Sequence, residues 1–452
     1  MSKSFYFLCF LFGISTLSNA QEAKLRKSLD LYLSQSDAFY HEVKAAAPSS
    51  RIQKPLKKFS EKDLHNAIDS FNRRWTTRSL LLCYFYDDTK KELNSFLLNS
   101  KKIIGSATRK ISRDSLLQEE IEFRDFYGVF RSSSLDRGSS SGTQFRPKRK
   151  DTDSLLAKKV SAQLLTAQMA DSILNYEQLL VSPTLNLYSF PFALLKPFRS
   201  EAFLGASIPI CILPGLYEFC SGSSEGGEEF SKVIRKATIV GNPRFNPELH
   251  PRDYYGRHPL IDEFFLQDLP YTEAQTTAVR TLLVDKSGTV KVDLLSQMNA
   301  TKTKFLESAD NSDLIYLATH GFSSTQKPWD SSFVAFAMEK ERPGENFLSA
   351  REIVSKIVSA RMVVLSACQT GTGQTWEAGV VSLASAFYYS GAETVISTLW
   401  NVDDFFTSMY MREFMKAIIE EGERHPSYYL HRIQKNARSL PRHWAPFICF
   451  GL

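Results

Sequence analysis

The stretch Arg361–Gly373, R-M-V-V-L-S-A-C-Q-T-G-T-G, restricts the fold of this chain more than any other. Met362, Val363, Val364 and Leu365 form a short apolar run, the pattern of a strand buried on both faces in a parallel sheet. The run gives way to Ser366, Ala367 and Cys368, then to the small, Gly-rich Gln369–Gly373. A cysteine there stands at the carboxyl end of a central strand, where open α/β sheets gather their chemistry. Asp313–Gly321, D-L-I-Y-L-A-T-H-G, has the same shape, with Leu314–Leu317 ending in Ala318, Thr319, His320 and Gly321. A thiol and an imidazole therefore close two strands 48 positions apart (368 − 320). That pairing is what nucleophilic catalysis by a thiol requires.

The rest of the chain supplies the sheet these strands need. Strands and helices alternate from Val233 onward. Strands are expected at Val233–Asn242, Val290–Leu295, Phe333–Met338, Glu393–Leu399 and Phe447–Phe450. Helices are expected at Tyr271–Leu283, Thr301–Ser308, Ser349–Ile357 and Glu377–Ser390, with two more over Asp404–Ser439. Such alternation specifies a mostly parallel sheet covered on both faces. Upstream, the chain past residue 20 opens with short helices. Ser60-Glu61-Lys62-Asp63 forms a capping-box-like start, with Leu64, Ala67, Ile68, Phe71 and Trp75 at helical spacing. Leu80–Tyr86 and Leu93–Leu98 read as a strand pair around Asp87-Asp88, and Ser154–Leu180 as one long amphipathic helix. Leu185–Leu195 reads as strand and turn, with a Pro that limits its place in a sheet. Ser132–Arg149 and Ser221–Glu229 have surface-loop composition.

A length of 452 residues suits two or three domains, and 43% hydrophobic residues with 33 Phe can build real cores. The net charge of +6 is mild and unclustered, the mark of a solvated surface and not of a nucleic-acid partner. Lys3, the apolar Phe5–Ile14 and the small-x-small Ser18-Asn19-Ala20 make residues 1–20 a secretory leader, so the mature chain is expected to be exported, periplasmic or extracellular. No later stretch has the length and apolarity of a membrane span. Five cysteines follow the leader: Cys83, Cys211, Cys220, Cys368 and Cys449. An odd number leaves at least one free thiol or an intermolecular partner. Cys211 and Cys220 are near enough in sequence to pair, but spacing alone leaves that open. No C-x-x-C, H-E-x-x-H, EF-hand or phosphate-binding loop occurs, so no metal or cofactor is expected. Gly138–Gly142 and Gly222–Gly226 match G-x-S-x-G but lack the strand-to-helix context of a nucleophile elbow. The remaining histidines, His41, His65, His250, His258, His425, His431 and His443, read as surface or capping groups.

Several further pieces fall in an order that resembles a known family. They are Leu185–Leu195, Leu269–Ala274 (L-P-Y-T-E-A), Ala318–Phe322 (A-T-H-G-F), Leu348–Ile353 (L-S-A-R-E-I) and Val363–Gly371 (V-V-L-S-A-C-Q-T-G). Ser390–Trp400 (S-G-A-E-T-V-I-S-T-L-W) and Trp444–Phe447 (W-A-P-F) complete the set. From about Leu80 to the end the chain resembles a CHAT domain, a bacterial relative of separases and caspases in one cysteine-peptidase clan. The His-to-Cys spacing of about 50 in caspases agrees with that resemblance. It implies a caspase-like α/β fold, a mostly parallel sheet flanked by helices, with a degenerate half at 77–235 and a catalytic half at 236–452, behind the leader at 1–20 and a short helical segment at 21–76. It also implies Cys368 as nucleophile, His320 as general base and acid, and the backbone N–H groups of Gly321 and Cys368 as oxyanion donors.

The resulting expectation is an exported cysteine endopeptidase acting on a protein or peptide, with room for an activating protein partner. The finer expectation is cleavage after a basic residue. A carboxylate in the specificity pocket would select Arg or Lys by a charge-assisted contact. Asp403 and Asp404 are the candidates. Asp403 also suits the cap of the helix that follows, which leaves Asp404 as the pocket candidate. The alternative function is a non-catalytic binding or scaffold module that retains the fold.

Overall fold

The computed structural model describes residues 3–52, 54, 60–127, 150–222, 234–245, 266, 268–287, 289–339, 345–356 and 360–452, with the backbone alone for 3–18, 125 and 150–153. The first half of the chain contributes β1 (Ser79–Asp87), β2 (Glu92–Leu98), β3 (Ile103–Lys110), β4 (Gln178–Ser182) and β5 (Ile210–Ile212). The second contributes β6 (Lys236–Pro243), β7 (Lys291–Gln297), β8 (Leu314–Ala318), the short β9 (Gly321–Phe322), β10 (Phe333–Ala335) and β11 (Phe347–Ser349), then β12 (Met362–Leu365). It ends with β13 (Gly373–Trp376), β14 (Gly379–Ser382), β15 (Thr394–Thr398) and β16 (Phe447–Gly451).

Eleven strands form one sheet in the order β3-β2-β1-β4-β5-β16-β15-β12-β8-β6-β7. Helices cover it, and the whole is the mostly parallel α/β architecture expected. The last strand, β16, runs antiparallel to β15 and parallel to β5, so it is the seam between oppositely directed halves. In the second half the order of appearance across the sheet is 2-1-3-4-5-6, with the reversal between β6 and β8. The carboxyl ends at that reversal are where such sheets leave a crevice. The central strands β8 and β12 are buried throughout, which explains why their sequences are continuous apolar runs rather than alternating ones.

Local chemistry explains most boundaries. Helix Glu61–Trp75 buries Leu64, Ala67, Ile68, Phe71 and Trp75, and the Ser60 amide and hydroxyl both donate to Asp63. Ser349 and Glu352 form a reciprocal capping box that starts Ala350–Ser355. Thr301 caps Lys302–Ala309 by accepting the Lys304 amide.

Several expectations are corrected. The amino-terminal region is one helix, Lys3–Ala46, instead of several short ones. Its buried residues Leu25, Leu29, Tyr32, Ser36, Phe39 and Val43 form one continuous stripe at helical spacing. The long helix read over Ser154–Leu180 is two, Lys150–Leu164 and Ala167–Ile173, followed by β4. Thr166 starts the second by accepting the Met169 amide. Leu185–Leu195 forms two 3-10 turns and no strand; Leu185 is left-handed at φ 50° and Pro191 has no amide to give a ladder. The helix expected over Glu377–Ser390 begins only at Leu383, because β13 and β14 pair as a hairpin ahead of it. β3 lacks the apolar pattern that announces a strand; it is an edge strand in which only Gly105 is buried. All five described cysteines are free thiols, so Cys211 and Cys220 are not bridged. Ser132–Arg149, the Gly138–Gly142 motif, most of Ser221–Glu229 and Gly222–Gly226, His250 and His258 lie outside the described residues.

The long amino-terminal helix is bound to both halves. The Tyr32 hydroxyl accepts the Leu216 amide at 2.8 Å in the first half. Phe39 packs on Trp376 of the hairpin and on Tyr389, with ring centroids 5.4 and 6.1 Å apart. Gly379 makes that approach feasible: a Cβ there would stand 2.2 Å from the Phe39 ring. Phe39→Ala should cost about 3–5 kcal/mol, the range for emptying a buried aromatic site. A urea melt of the variant reads it directly; an unchanged midpoint would mean that the helix contributes nothing to the second half's stability.

Candidate active site

Leu317 of β8 faces Leu365 of β12 in the parallel register. His320 and Cys368 each follow three residues later, so equal steps carry the two chains to the same edge. The two segments remain in contact past the ladder. A Cβ on Gly321 would lie 2.9 Å from Thr370 Cγ2, 3.1 Å from Ala367 Cβ and 3.4 Å from the Cys368 carbonyl oxygen. His320, Gly321 and Cys368 are thus brought together at the carboxyl edge of the central strands. His320 and Cys368 are each only 1% exposed, so the site is closed.

Neighbouring elements fix both strand ends. Thr319 Oγ1 donates to the Ala335 carbonyl at 2.7 Å, and the Ala335 amide donates to the His320 carbonyl at 2.9 Å. The imidazole segment is thereby tied to the small sheet β11-β10-β9. Thr398, at the end of β15, holds the thiol segment: its hydroxyl donates to the Ala367 carbonyl at 2.6 Å and its amide to Thr370 Oγ1 at 3.1 Å. Its carbonyl accepts the Gly371 amide at 2.8 Å. Immediately after Cys368 the chain turns through Gln369 at φ 48°, a left-handed conformation sparsely used by residues with a Cβ. Gln275 of helix Pro270–Ser287 donates to Ser366 Oγ at 3.0 Å and to the Tyr316 hydroxyl, tying that helix to both strands. Phe245, just past β6, packs on His320 with centroids 5.2 Å apart.

Three of the buried or half-buried thiols, Cys83, Cys220 and Cys449, are poorly disposed to ionise. Burial pushes Cys83 up, Cys220 up to about 12, and Cys449 well up with Cys211 adding to the effect. Among the other histidines, burial pulls His425 down to about 3 and His443 down to about 4. His425 caps a helix as expected but is buried, against the surface reading. His65 bonds the Asn99 carbonyl, and His431 the Gly205 carbonyl.

The two aspartates take different places. Asp403 caps helix Asp404–Glu420 by accepting the Phe406 amide at 3.1 Å. Asp404 is buried, and its Oδ2 accepts the Tyr271 amide at 3.2 Å, one turn from Gln275. The positioning groups Thr398, Gln275, Ser366 and Phe245 have no signal in the sequence as single residues. Thr398 lies inside the S-G-A-E-T-V-I-S-T-L-W run, and Gln275 immediately follows L-P-Y-T-E-A.

Comparison with known proteins bears on the family and the fold. The CHAT domain family model matches residues 152–452. Tetratricopeptide repeat protein 28 of Mus musculus is 23% identical over 357 residues, covering 69% of this chain and 14% of its own length. The protein of the same name from Homo sapiens is 21% identical over 354 residues, again with 69% and 14% covered. The chain therefore spans a small part of those relatives. The Saccharomyces cerevisiae separase–securin complex has a TM-score of 0.53 at 9% identity, covering 93% of this chain and 34% of that chain. The Arg-specific cysteine proteinase gingipain R gives 0.38 at 9% identity, with 68% of each chain covered. The CHAT match and the separase likeness identify the fold as caspase-like.

Gly321 tests the contact between the two strand ends. Gly321→Ala must push against Ala367 and Thr370, an overpacking cost of about 1–3 kcal/mol. We expect a cooperative melt at slightly lower temperature and alkylation of Cys368 slowed at least about tenfold, equivalent to about 1.4 kcal/mol. Quantitative mass spectrometry of the labelled peptide measures this, and an unchanged rate would disconnect Gly321 from the thiol.

Proposed function

The chain belongs to the CHAT domain family, and from that premise we propose that it is a cysteine endopeptidase using Cys368 and His320. The observation that carries this reading is the register of β8 and β12, which sends an imidazole and a thiol to one sheet edge. His320 takes the thiol proton, and the sulfur attacks the peptide carbonyl carbon, forming a C–S bond. The negative charge moves to the carbonyl oxygen, where the N–H groups of Gly321 and Cys368 would stabilise it. Collapse breaks the C–N bond as His320 returns its proton to the leaving amine. Water then attacks the thioester, with His320 accepting its proton, and the acid leaves as the thiol is restored.

Closure of the site bears on control. A peptide must bring its carbonyl to about 3–3.5 Å from the sulfur, and neither catalytic group is accessible with Phe245 packed on His320. An activating protein partner would act at this point. The separase neighbour is itself in complex with securin. Asp404 is the group proposed to read a basic residue on the acyl side of the cut.

Export is proposed on the leader pattern alone. Asn19 and Ala20, at the expected cleavage site, are exposed, and among the described side chains of the helix the buried stripe starts at Leu25. Among the described residues no helix is long and apolar enough to cross a membrane.

A second reading is a binding module without turnover. It is favoured by the sequence relatives, which are named for tetratricopeptide repeats and not for a peptidase.

Incubation of the purified chain with a peptide library and a small thiol-reactive probe separates the two. Wild type should cleave and label at Cys368; Cys368→Ala should do neither, and His320→Ala should lose at least about 100-fold in cleavage, the lower end for general acid–base catalysis. Cleavage surviving in Cys368→Ala would end the dyad assignment, and a folded wild type whose Cys368 is labelled, and so reachable, but which cleaves no peptide would favour the binding module. Asp404→Asn should weaken turnover of basic peptides by about 2–5 kcal/mol while labelling of Cys368 stays within twofold. Equal kinetics on basic and apolar peptides would return Asp404 to a purely structural role at the helix start.

A further inference from the structure

Cys211, His425 and Cys449 meet in the interior although no short spacing in the sequence joins them. The parallel pairing of β5 with β16 sets Cys211 directly beside Cys449, so both side chains leave the sheet on one face. His425 stands at the start of helix Pro426–Asn436, which packs over both strands. Two sulfurs and one ring nitrogen lie within 4.8 Å of one another, and all three residues are buried. We propose that this cluster is a binding site for a thiophilic divalent cation of the zinc class, held by both thiolates and the neutral imidazole.

The ligand chemistry sets the ion. Cys and His are the ligands of structural zinc, and the same soft set also takes copper(I). Charge separates the two in a dry interior. Two thiolates and a dication sum to zero, whereas a monocation leaves one negative charge buried without a partner. The nearby Arg74 does not supply that partner, since it is paired with Glu393 at 2.8 Å. Binding releases two protons, one from each thiol. Structural zinc takes four ligands, and the described cluster has three. The Gly451 carbonyl, 3.3 Å from Cys211 Sγ, would complete the set.

The surroundings support a built site. Ligation through Nε2 requires the proton on Nδ1, where it can be donated to the Ser427 hydroxyl 2.8 Å away instead of Nδ1 accepting the Ser427 amide; that hydroxyl is bonded in turn to Gln178, an outer layer of the kind that orients ligating imidazoles. Buried Nε2 meets no hydrogen-bond partner among the described residues. Phe71 and Trp75 pack on the ring at 5.3 and 5.0 Å between centroids and keep water from it. A bound cation would tie β5 of the first half, β16 and helix Pro426–Asn436 together at the seam of the sheet, so its binding energy would become folding energy.

The test keeps only the two thiols in question, replacing Cys9, Cys83, Cys220 and Cys368 by Ala in the full, reduced chain. This also removes the Cys368–His320 pair as a competing zinc ligand set. Cobalt(II) should bind one equivalent with thiolate-to-metal charge-transfer absorption, zinc should displace it, and zinc should raise the melting temperature. Cys449→Ala in that background should abolish the absorption, and Ser427→Ala should weaken affinity about 10–100-fold. If Cys449→Ala does not fold, the parent's absorption alone decides. A parent with no thiolate–cobalt absorption overturns the proposal, as does absorption that survives Cys449→Ala. A parent that instead yields a Cys211–Cys449 disulfide on oxidation and binds no cobalt when reduced overturns it as well.

Discussion

The pairing of β8 with β12 is the interaction on which the rest of the site depends. Both strands are buried on both faces, so their amides and carbonyls have no water to turn to and must bond each other. That requirement fixes the register Met362–Leu314 to Leu365–Leu317. A slip of one residue would exchange the faces of an entire strand, and it would also separate His320 from Cys368. The hydrogen bonds from Thr398, Thr319 and Gln275 act at the next level. They hold in place two strand ends that the ladder has already made neighbours.

Past the strand ends, the chain accepts unfavourable local conformations. Gln369 turns at φ 48° directly after the thiol, a conformation that persists only where surrounding contacts over-determine it. Those contacts are visible on either side: Thr370 is bonded to Thr398 and its carbonyl takes the Ala384 amide at 3.0 Å. The same close packing closes the site, since the groups that locate the thiol and imidazole also cover them.

The first half shows what the second half requires. Its strands β1, β4 and β5 are as apolar as β8 and β12, yet among the described residues no thiol–imidazole pair closes two of them at one edge. Its contribution is mechanical. β5 covers the outer edge of β16, leaving the second half without an open strand edge on that side. The amino-terminal helix then bridges both halves through Tyr32 and Phe39.

The sequence by itself determined the elements whose pattern is local. The apolar runs of β8 and β12, the capping chemistry at Ser60 and Thr301, and the residues ending the two central strands all follow from neighbours in the chain. So the candidate pair His320 and Cys368 was legible: a buried parallel strand has a distinctive composition, and its carboxyl end is a defined place. The tertiary structure alone decided what long-range packing sets. Glu377–Ser390 reads as one helix, yet Gly379–Ser382 pairs back on Gly373–Trp376 as a hairpin, with Phe39 of the distant amino-terminal helix packed on Trp376 and against Gly379. Leu185–Leu195 is as apolar as a strand, but a left-handed Leu185 and the missing Pro191 amide leave it without a ladder to join. Cys211 sits beside Cys449 and not Cys220, because strand register, which spans the whole chain, sets side-chain distance inside a sheet and sequence spacing does not.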